Sequence, residues 1–328
     1  MNRLLMMYYY SLFHDTMVRV RNIDRYAEYS FEELEKQLKV KDKLEEPDFT
    51  AALATIFPRL LNSNHVLGKV RIGGCYIHQK PKVKFNSKIT HKPAVCEAGD
   101  LLVLCRRTID DKSQLNATLF QIKKQDKYNP IHRTSKKDEL IQMELYQTWP
   151  NFTIPSVTAD FEYDVRPKAI TPGAQYLCIS PMSDSKYRLL FHSLPATEIE
   201  LYNQYTFGYF ISNFIDWQNG RPISLAEDKM KDAWSEFIWQ LIDVSMDSYF
   251  KRRNVGLENV PRTSDQFFSF ILRNSETTDD IENMVQFIIK NNKEIKSTGN
   301  GDDGFSILFI DLDGDHVNER KEEQNTRE

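Results

Sequence analysis

Apolar residues in the middle of this chain are spaced as in two neighbouring strands. Two apolar runs, Leu101–Cys105 and Ala117–Ile122, flank a polar stretch, Asp110–Asn116, that has the composition of a hairpin loop. This pattern predicts an antiparallel hairpin whose turn centres on Asp111 and Lys112. In such a hairpin the start of the first strand lies beside the end of the second strand.

The residues before this hairpin predict two helices and two further strands. A capping-box pattern at Ser30 predicts a helix that runs to about Leu44, and Pro47 suits the first turn of a second helix. The segments Val66–Ile72 and Cys75–Phe85 alternate like strands, and two glycines between them predict a tight turn.

The residues after the hairpin predict a mixed arrangement that becomes helical. We expect a helix over Ser135–Trp149 and strands at Gly173–Ser180, Tyr187–His192 and Phe305–Asp311. Apolar periodicity between residues 207 and 289 predicts helices, the last of them over Ile281–Ile289. The fold class is therefore α/β (α+β), with a mixed sheet flanked by helices and a helical C-terminal region. The proposed divisions are a helical segment at 1–44, a core at 45–195, a helical region at 196–295, and a short strand with a charged tail at 296–328.

Composition limits the classes of protein to consider. Of the 328 residues, 41% are hydrophobic, which is enough for a sizeable core, and no apolar run approaches the roughly 20 residues of a membrane span. We therefore expect no membrane association. The spacing of the four cysteines matches no zinc motif, which predicts reduced thiols in a cytoplasmic protein.

Charge is distributed unevenly although the net charge is only -4. Between Phe49 and Cys96 there is no Asp or Glu, and Lys80, Lys82 and Lys84 alternate there on one face of a strand. Lys124 belongs to a second basic cluster that follows the hairpin. Such segregation predicts a positive surface able to hold phosphates, and the alternative is a lysine-rich hairpin that is simply solvated.

The hairpin should gather Asp100, Gln121 and Lys123 at one strand end, because Gln121 and Lys123 share a face while Phe120 and Ile122 point into a core. An Asp followed, on the neighbouring strand, by an acidic or amide residue two places before a Lys resembles the PD-(D/E)XK nuclease superfamily. Gln121 stands where Asp or Glu is usual, as in Mrr-like restriction nucleases.

Further residues extend this resemblance. Gln142 and Tyr146 form a Q-x-x-x-Y that resembles the motif of RecB-type nucleases, and it implies that they position the lysine strand or contact the DNA backbone. Glu46 and Asp48 lie on the preceding helix, where the superfamily often carries acids. Glu97 is another candidate acid, provided that a turn brings it towards Asp100, since in a regular strand it would face away.

The resemblance implies a metal-dependent nuclease that hydrolyses phosphodiester bonds. Mg²⁺, or Mn²⁺ in its place, would be held by Asp100, Gln121, Glu46 and Asp48, while Lys123 would stabilise developing charge on phosphorus. DNA is a more expected substrate than RNA, and a partner protein in a multi-subunit system is the other partner considered. Such nucleases often act in bacterial restriction or antiphage defence. The alternative is a nuclease-fold protein that has lost cleavage and binds nucleic acid or a protein partner.

Overall fold

The computed structural model describes residues 3–38, 44–77, 81–125, 136–155, 161–180, 187–192, 205–225, 232–252, 264–274 and 305–312. The helices in these residues are α1 (Arg3–Leu38), α2 (Glu46–Ser63), α3 (Lys137–Thr148), α4 (Phe207–Ile215), α5 (Ala233–Arg252) and α6 (Ser264–Asn274). The strands are β1 (Arg71–Ile77), β2 (Lys82–Ser87), β3 (Lys92–Glu97), β4 (Leu101–Ile109), β5 (Lys112–Lys124), β6 (Phe152–Thr153), β7 (Ala174–Ser180), β8 (Arg188–His192), β9 (Tyr205–Thr206), β10 (Arg221–Ile223) and β11 (Phe305–Asp311). The predicted helix at Ile281–Ile289, residue Lys80 and the charged tail lie outside the described residues.

Among the described residues, eight strands form one mixed sheet. Their order is β1-β11-β4-β5-β7-β8-β9, and β10 pairs with β5 beside this path. β11 runs parallel to β4, and β7 runs parallel to β5, while the other pairs in the sheet are antiparallel. The strands β3, β2 and β6 form a second, smaller sheet. The chain is therefore α+β with a mixed sheet, as the sequence predicts.

Apolar side chains cover both faces of the main sheet. On one face, Leu101, Val103, Phe120 and Ile122 join the buried residues of α1, α2 and α4. On the other face, α3, α5, α6 and the small sheet cover the alternate side chains of the same strands, including Leu119. A sheet that is buried on both faces needs helices on both sides, which explains why the strands read as nearly continuous apolar runs.

The strand β11 lies inside the main sheet, next to the edge strand β1, although it comes near the end of the chain. Its backbone pairs with β1 on one side and with β4 on the other. The sequence predicts this strand with the observed bounds, but its pattern does not reveal its neighbours. The C-terminal segment thus completes the same sheet that carries the β4–β5 hairpin.

The prediction of a helix that begins at Ser30 is wrong. α1 runs without interruption from Arg3 to Leu38, and the Ser30 hydroxyl donates to the Ala27 carbonyl at 2.6 Å within this helix. The reason is that Ile23, which precedes Ser30, belongs to the same buried stripe as the residues that follow it. A serine inside a helix can satisfy its hydroxyl on the preceding turn, so the capping pattern did not mark a start.

The prediction of a glycine turn between two strands is also wrong. Gly73 and Gly74 lie inside the single strand β1. A Cβ on Gly74 would lie 2.2 Å from the carbonyl oxygen of Ala54 in α2, and one on Gly73 would lie 2.5 Å from that of Ile271 in α6. These glycines therefore allow two helices to approach the strand from opposite faces.

The β4–β5 hairpin forms as predicted, but its turn is shorter and lies one residue earlier. Asp110 and Asp111 both have positive φ angles, 49° and 59°, and Ile109 pairs with Lys112 across the two-residue turn. Positive φ at both central residues matches the twist of the flanking strands, and Asp tolerates it. The stretch Lys112–Asn116 is therefore strand, and Asp100 lies opposite Gln121.

None of the helices that the structure describes combines the length and the apolar character needed to cross a membrane.

Candidate active site

Three elements meet where two inner strands of the main sheet end: the start of β4, the end of β5 and the first turn of α2. The backbone N–H of Asp100 donates to the carbonyl of Phe120 at 2.8 Å, which extends the β4–β5 ladder by one residue. Phe120 and Ile122 lie in the core with α2, so Gln121 and Lys123 point to the opposite face, as predicted. The structure therefore brings together the Asp, Gln and Lys that the sequence singled out.

The Asp100 carboxylate is buried, with 1% of its surface exposed. Its Oδ2 accepts a hydrogen bond from the backbone N–H of Ile122 at 2.6 Å and another from the side-chain amide of Gln121. Two hydrogen bonds to one oxygen hold the carboxylate in one orientation. A buried acid is thus fixed against the end of β5.

Lys123 completes the cluster with an acid from α2. Its side chain is only 10% exposed, and its Nζ lies 3.5 Å from Oε2 of Glu46. The other carboxylate oxygen, Oε1, accepts the backbone N–H of Lys124 at 3.1 Å. Glu46 is therefore the helix acid that reaches this strand end, and its side chain, about a third exposed, lines an open cleft of about 450 Å³ together with Glu45, Pro47 and Lys124.

The assignment of Asp48 to the metal site is corrected by the structure. Its Oδ2 accepts the backbone N–H of Glu45 at 2.8 Å, and the Glu45 side chain completes a capping box at the start of α2. Burial raises the pKa of Asp48, and the Glu45 N–H lowers it in part. Asp48 satisfies a free donor at the helix end, as capping residues do.

Two residues of α3 contact the loop that leads into Asp100. The Tyr146 hydroxyl donates to the carbonyl of Ala98 at 2.8 Å, and Nε2 of Gln142 donates to Oε2 of Glu97 at 3.4 Å. Tyr146 is buried and stacks on Trp149, so the expectation that it contacts DNA is wrong. Its contact holds the backbone immediately before Gly99 and Asp100.

Glu97 accepts a hydrogen bond from Gln142 and lies opposite Lys82 of β2. β3 ends at Glu97 and the chain turns at Ala98 and Gly99 before β4 begins, and both Glu97 and Asp100 raise the pKa of the buried Tyr146. We therefore assign Glu97 to the rim of the site.

The groups that flank the acids are neutral at ordinary pH. Burial raises the pKa of Tyr146 well above its usual value, and the neighbouring Tyr176 and Asp100 raise it further. Burial likewise raises the pKa of Cys178, which pairs with Lys123 in the sheet, to about 12, although Lys123 lowers it. The charge of the site is thus carried by two carboxylates and one ammonium group.

The predicted basic residues occupy two places. Lys82 and Lys84 are exposed on β2 of the small sheet, whereas Lys124 is partly buried and its Nζ donates to Oε1 of Glu45 at 2.9 Å. Lys124 therefore lines the cleft as part of an ion pair. Sequence reasoning missed Glu45 in this pair, although the E-x-x-D pattern around Pro47 is a readable capping signal.

The donor set suits a hard divalent cation. Within the described residues, no group of three or more His, Cys, Asp or Glu side chains is arranged to hold a metal ion. This cluster instead offers the two carboxylates of Asp100 and Glu46 and the amide of Gln121, whose oxygen and nitrogen exchange places by rotation about one bond. Mg²⁺ takes one or two carboxylates and keeps several waters, so these three residues fit it.

Comparison with known proteins gives no relative: no protein-family model, no curated protein and no solved structure matches this chain.

Proposed function

We propose that this chain is a metal-dependent nuclease of the PD-(D/E)XK type that hydrolyses phosphodiester bonds of DNA. One observation carries the proposal. At the end of β5, Gln121 contacts Asp100 of the neighbouring strand and Lys123 contacts Glu46 of α2, and the charged Asp100 and Lys123 are both buried. Burying a charged side chain costs desolvation free energy. Buried charges at the ends of two strands, beside an open cleft, therefore support a catalytic role.

The order of elements supports the same superfamily. A helix that carries an acid precedes an antiparallel hairpin, a helix follows it, and the next strand, β7, returns parallel to the hairpin strand that carries the lysine. Glu46 supplies the additional acid that a neutral Gln121 requires. The residue types at this site and the order of the elements around it support the proposal.

The proposed roles follow from the contacts. Asp100, Glu46 and the amide oxygen of Gln121 would hold Mg²⁺ or Mn²⁺. A bound cation of this kind supplies polarisation of the phosphate and lowers the pKa of an attacking water. The Lys123 ammonium stabilises negative charge that develops on the phosphate oxygens, because its burial keeps water from screening it.

The remaining expectations belong to the same proposal. We place the protein in the cytoplasm, where its four cysteines, none of which forms a disulfide, would stay reduced. A role in bacterial restriction or antiphage defence, with or without a partner protein, follows from the resemblance. Both expectations depend on the nuclease activity being demonstrated.

The second candidate function is a nuclease fold that binds nucleic acid or a protein partner without cleaving it. Gln121 favours this candidate. Its amide, which donates a hydrogen bond to Asp100, stands where the superfamily usually has a second carboxylate for the metal. A neutral amide is the weaker ligand for a hard cation. Cleavage and metal binding therefore distinguish the two functions.

The test is cleavage of a supercoiled plasmid by the purified chain with Mg²⁺, with Mn²⁺ and with EDTA. We expect nicked or linear product with either metal and none with EDTA. Asp100→Asn and Lys123→Met should abolish cleavage, whereas Lys112→Ala, an exposed lysine at the far end of the hairpin, should not. DNA binding without cleavage in either metal would establish the second candidate and refute the first.

A further inference from the structure

The strands β2 and β3 form a second hairpin, whose turn spans residues 88–91 and whose last pair is Ser87 with Lys92. One face of this hairpin packs on the core through Val83 and Phe85. The opposite face and the turn project into solvent. The hairpin is thus anchored along one side and open along the other.

The turn is held by a buried acid of α3. Oε2 of Glu144 accepts the Ser87 hydroxyl at 2.5 Å, and Oε1 accepts the backbone N–H of Lys88 at 2.6 Å. The Ser87 hydroxyl oxygen in turn accepts the backbone N–H groups of Ile89 and Thr90. Three backbone donors of the turn are thereby satisfied, so the turn is fixed before anything binds to it.

The solvent side of this hairpin combines lysines with two exposed apolar side chains, Ile89 in the turn and Val95 opposite Lys84 on β3. Lys82, Lys84, Lys88 and Lys92 are exposed, and no acid occurs between Phe49 and Cys96. Ile89 lies in the turn between Lys88 and Lys92 and is 44% exposed. Ile89 therefore stands on a fixed turn with its side chain open to a partner and with positive charge on both sides.

We propose that the β2–β3 hairpin binds duplex DNA, with its lysines on the phosphates of one strand and Ile89 inserted as a wedge from the minor groove. Proteins that bend DNA commonly insert an apolar side chain between base steps and flank it with basic residues. Only the link to cleavage rests on the proposed function, because binding and bending require no catalysis.

The geometry of the hairpin fits a phosphate backbone. Lys82 and Lys84 lie two residues apart on one strand, a spacing of about 7 Å, so each can contact a different phosphate of one DNA strand. Lys82 pairs with Glu97, the rim residue of the candidate site, and the N–H of Ala98 donates to the carbonyl of Pro81 at 2.8 Å. The row of lysines therefore leads from the turn towards Asp100.

Binding is tested with a 30-bp duplex by fluorescence anisotropy in EDTA, over a range of salt concentrations. Lys84→Ala and Lys88→Ala should each weaken binding and lower the salt slope by about 1, because each removes one phosphate contact. Lys112→Ala, on the turn of the other hairpin, is the matched control and should leave the slope unchanged. Equal slopes for the two hairpin variants and the wild type would overturn the proposal.

Insertion is tested with the same duplex carrying a donor and an acceptor dye at its two ends. Wild type should bring the ends together, since inserted wedges kink DNA by about 20 to 90°. Ile89→Ala should bind with an unchanged salt slope but leave the duplex straight. Ile109→Ala, a 42% exposed isoleucine beside the other turn, should bend DNA as the wild type does.

These measurements separate this inference from the proposed function. Bending that depends on Ile89, without cleavage in Mg²⁺, supports the hairpin and refutes the nuclease. Cleavage that is unaffected by Ile89→Ala and by the lysine variants supports the nuclease and refutes the link between the hairpin and cleavage. Equal bending by Ile89→Ala, or equal binding of duplex RNA of the same sequence, would overturn the wedge and the assignment to DNA, respectively.

Discussion

The two acids in the first turn of α2 provide the sharpest test of the candidate site. Glu46 contacts the lysine strand, whereas Asp48 caps its own helix. We expect Glu46→Gln to remove cleavage and metal binding and Asp48→Asn to preserve both. Each amide keeps the shape of the side chain that it replaces and retains an oxygen that can accept the same backbone N–H, so the pair differs only in where charge is lost.

The effect of Glu46→Gln on stability should be small. At the 3.5 Å separation from Lys123 the gross attraction is about 4 to 5 kcal/mol at an effective dielectric constant of about 20. The Glu46 side chain is about a third exposed, so solvent screening reduces the net contribution of the pair to about 1 kcal/mol. Urea unfolding should therefore show a loss of about 1 kcal/mol or less in the free energy of unfolding.

The effect of the same change on metal binding and cleavage should be large. Loss of a residue that only supports a metal ligand costs about 10-fold to 100-fold, and loss of a ligand should cost at least about 100-fold. At a Mg²⁺ concentration 100 times the wild-type Kd, binding stabilises wild type by about 2.7 kcal/mol, and a 100-fold weaker site retains only about 0.4 kcal/mol.

Thermal unfolding with and without Mg²⁺ measures this difference independently of cleavage, and plasmid nicking measures the activity. Asp48→Asn is the control for both assays, since it lies in the same helical turn. Cleavage by Glu46→Gln at the wild-type rate, or its loss in Asp48→Asn with the fold intact, would refute our assignment of the helix acid.

Three further predictions follow from buried contacts. Gly99→Ala should destabilise the protein by about 1 to 3 kcal/mol in urea unfolding, because its Cβ would lie 2.7 Å from Leu119 and 2.9 Å from the Tyr146 hydroxyl; an unchanged midpoint would contradict this packing. Glu144→Ala should destabilise by a similar amount, since it leaves buried donors of the β2–β3 turn unpaired, and amide exchange in that turn should quicken; exchange at the wild-type rate would count against a pinned turn. The buried tyrosines Tyr146 and Tyr176 have raised pKa values and keep their protons when the unfolded chain releases them, so stability should fall as pH rises above about 10. Thermal unfolding between pH 8 and 11 measures this slope, which Tyr146→Phe should reduce; a flat profile would show that the two hydroxyls titrate normally.

Local sequence signals correctly predicted most helices and strands whose pattern does not depend on distant residues. The helix after Pro47, the strands at β7, β8 and β11 and the alternation of Gln121 and Lys123 depend on the period of apolar residues or on one capping position, and the structure has them. Two predictions that depend on packing against elements distant in sequence were wrong. Ser30 and the pair Gly73–Gly74 resemble a cap and a turn, but each is explained by what packs against it.

The candidate site divides in the same way. The sequence by itself identified Asp100, Gln121 and Lys123, because strand alternation and hairpin pairing determine which side chains meet at one end of a ribbon. It could not choose between Glu46 and Asp48, which are two residues apart on one helix. Only the docking of α2 on the sheet, set by side chains far from either acid, turns Glu46 towards Lys123.

The tertiary structure also decided which residues are accessible. The Q-x-x-x-Y pattern is compatible with Tyr146 contacting DNA or supporting the fold. Its burial against Trp149 and Ala98 favours support of the fold. The tertiary structure likewise places β11 between β1 and β4. Periodicity gives the face of each element, whereas its partners depend on contacts between distant residues, and those contacts form only when the whole chain is folded.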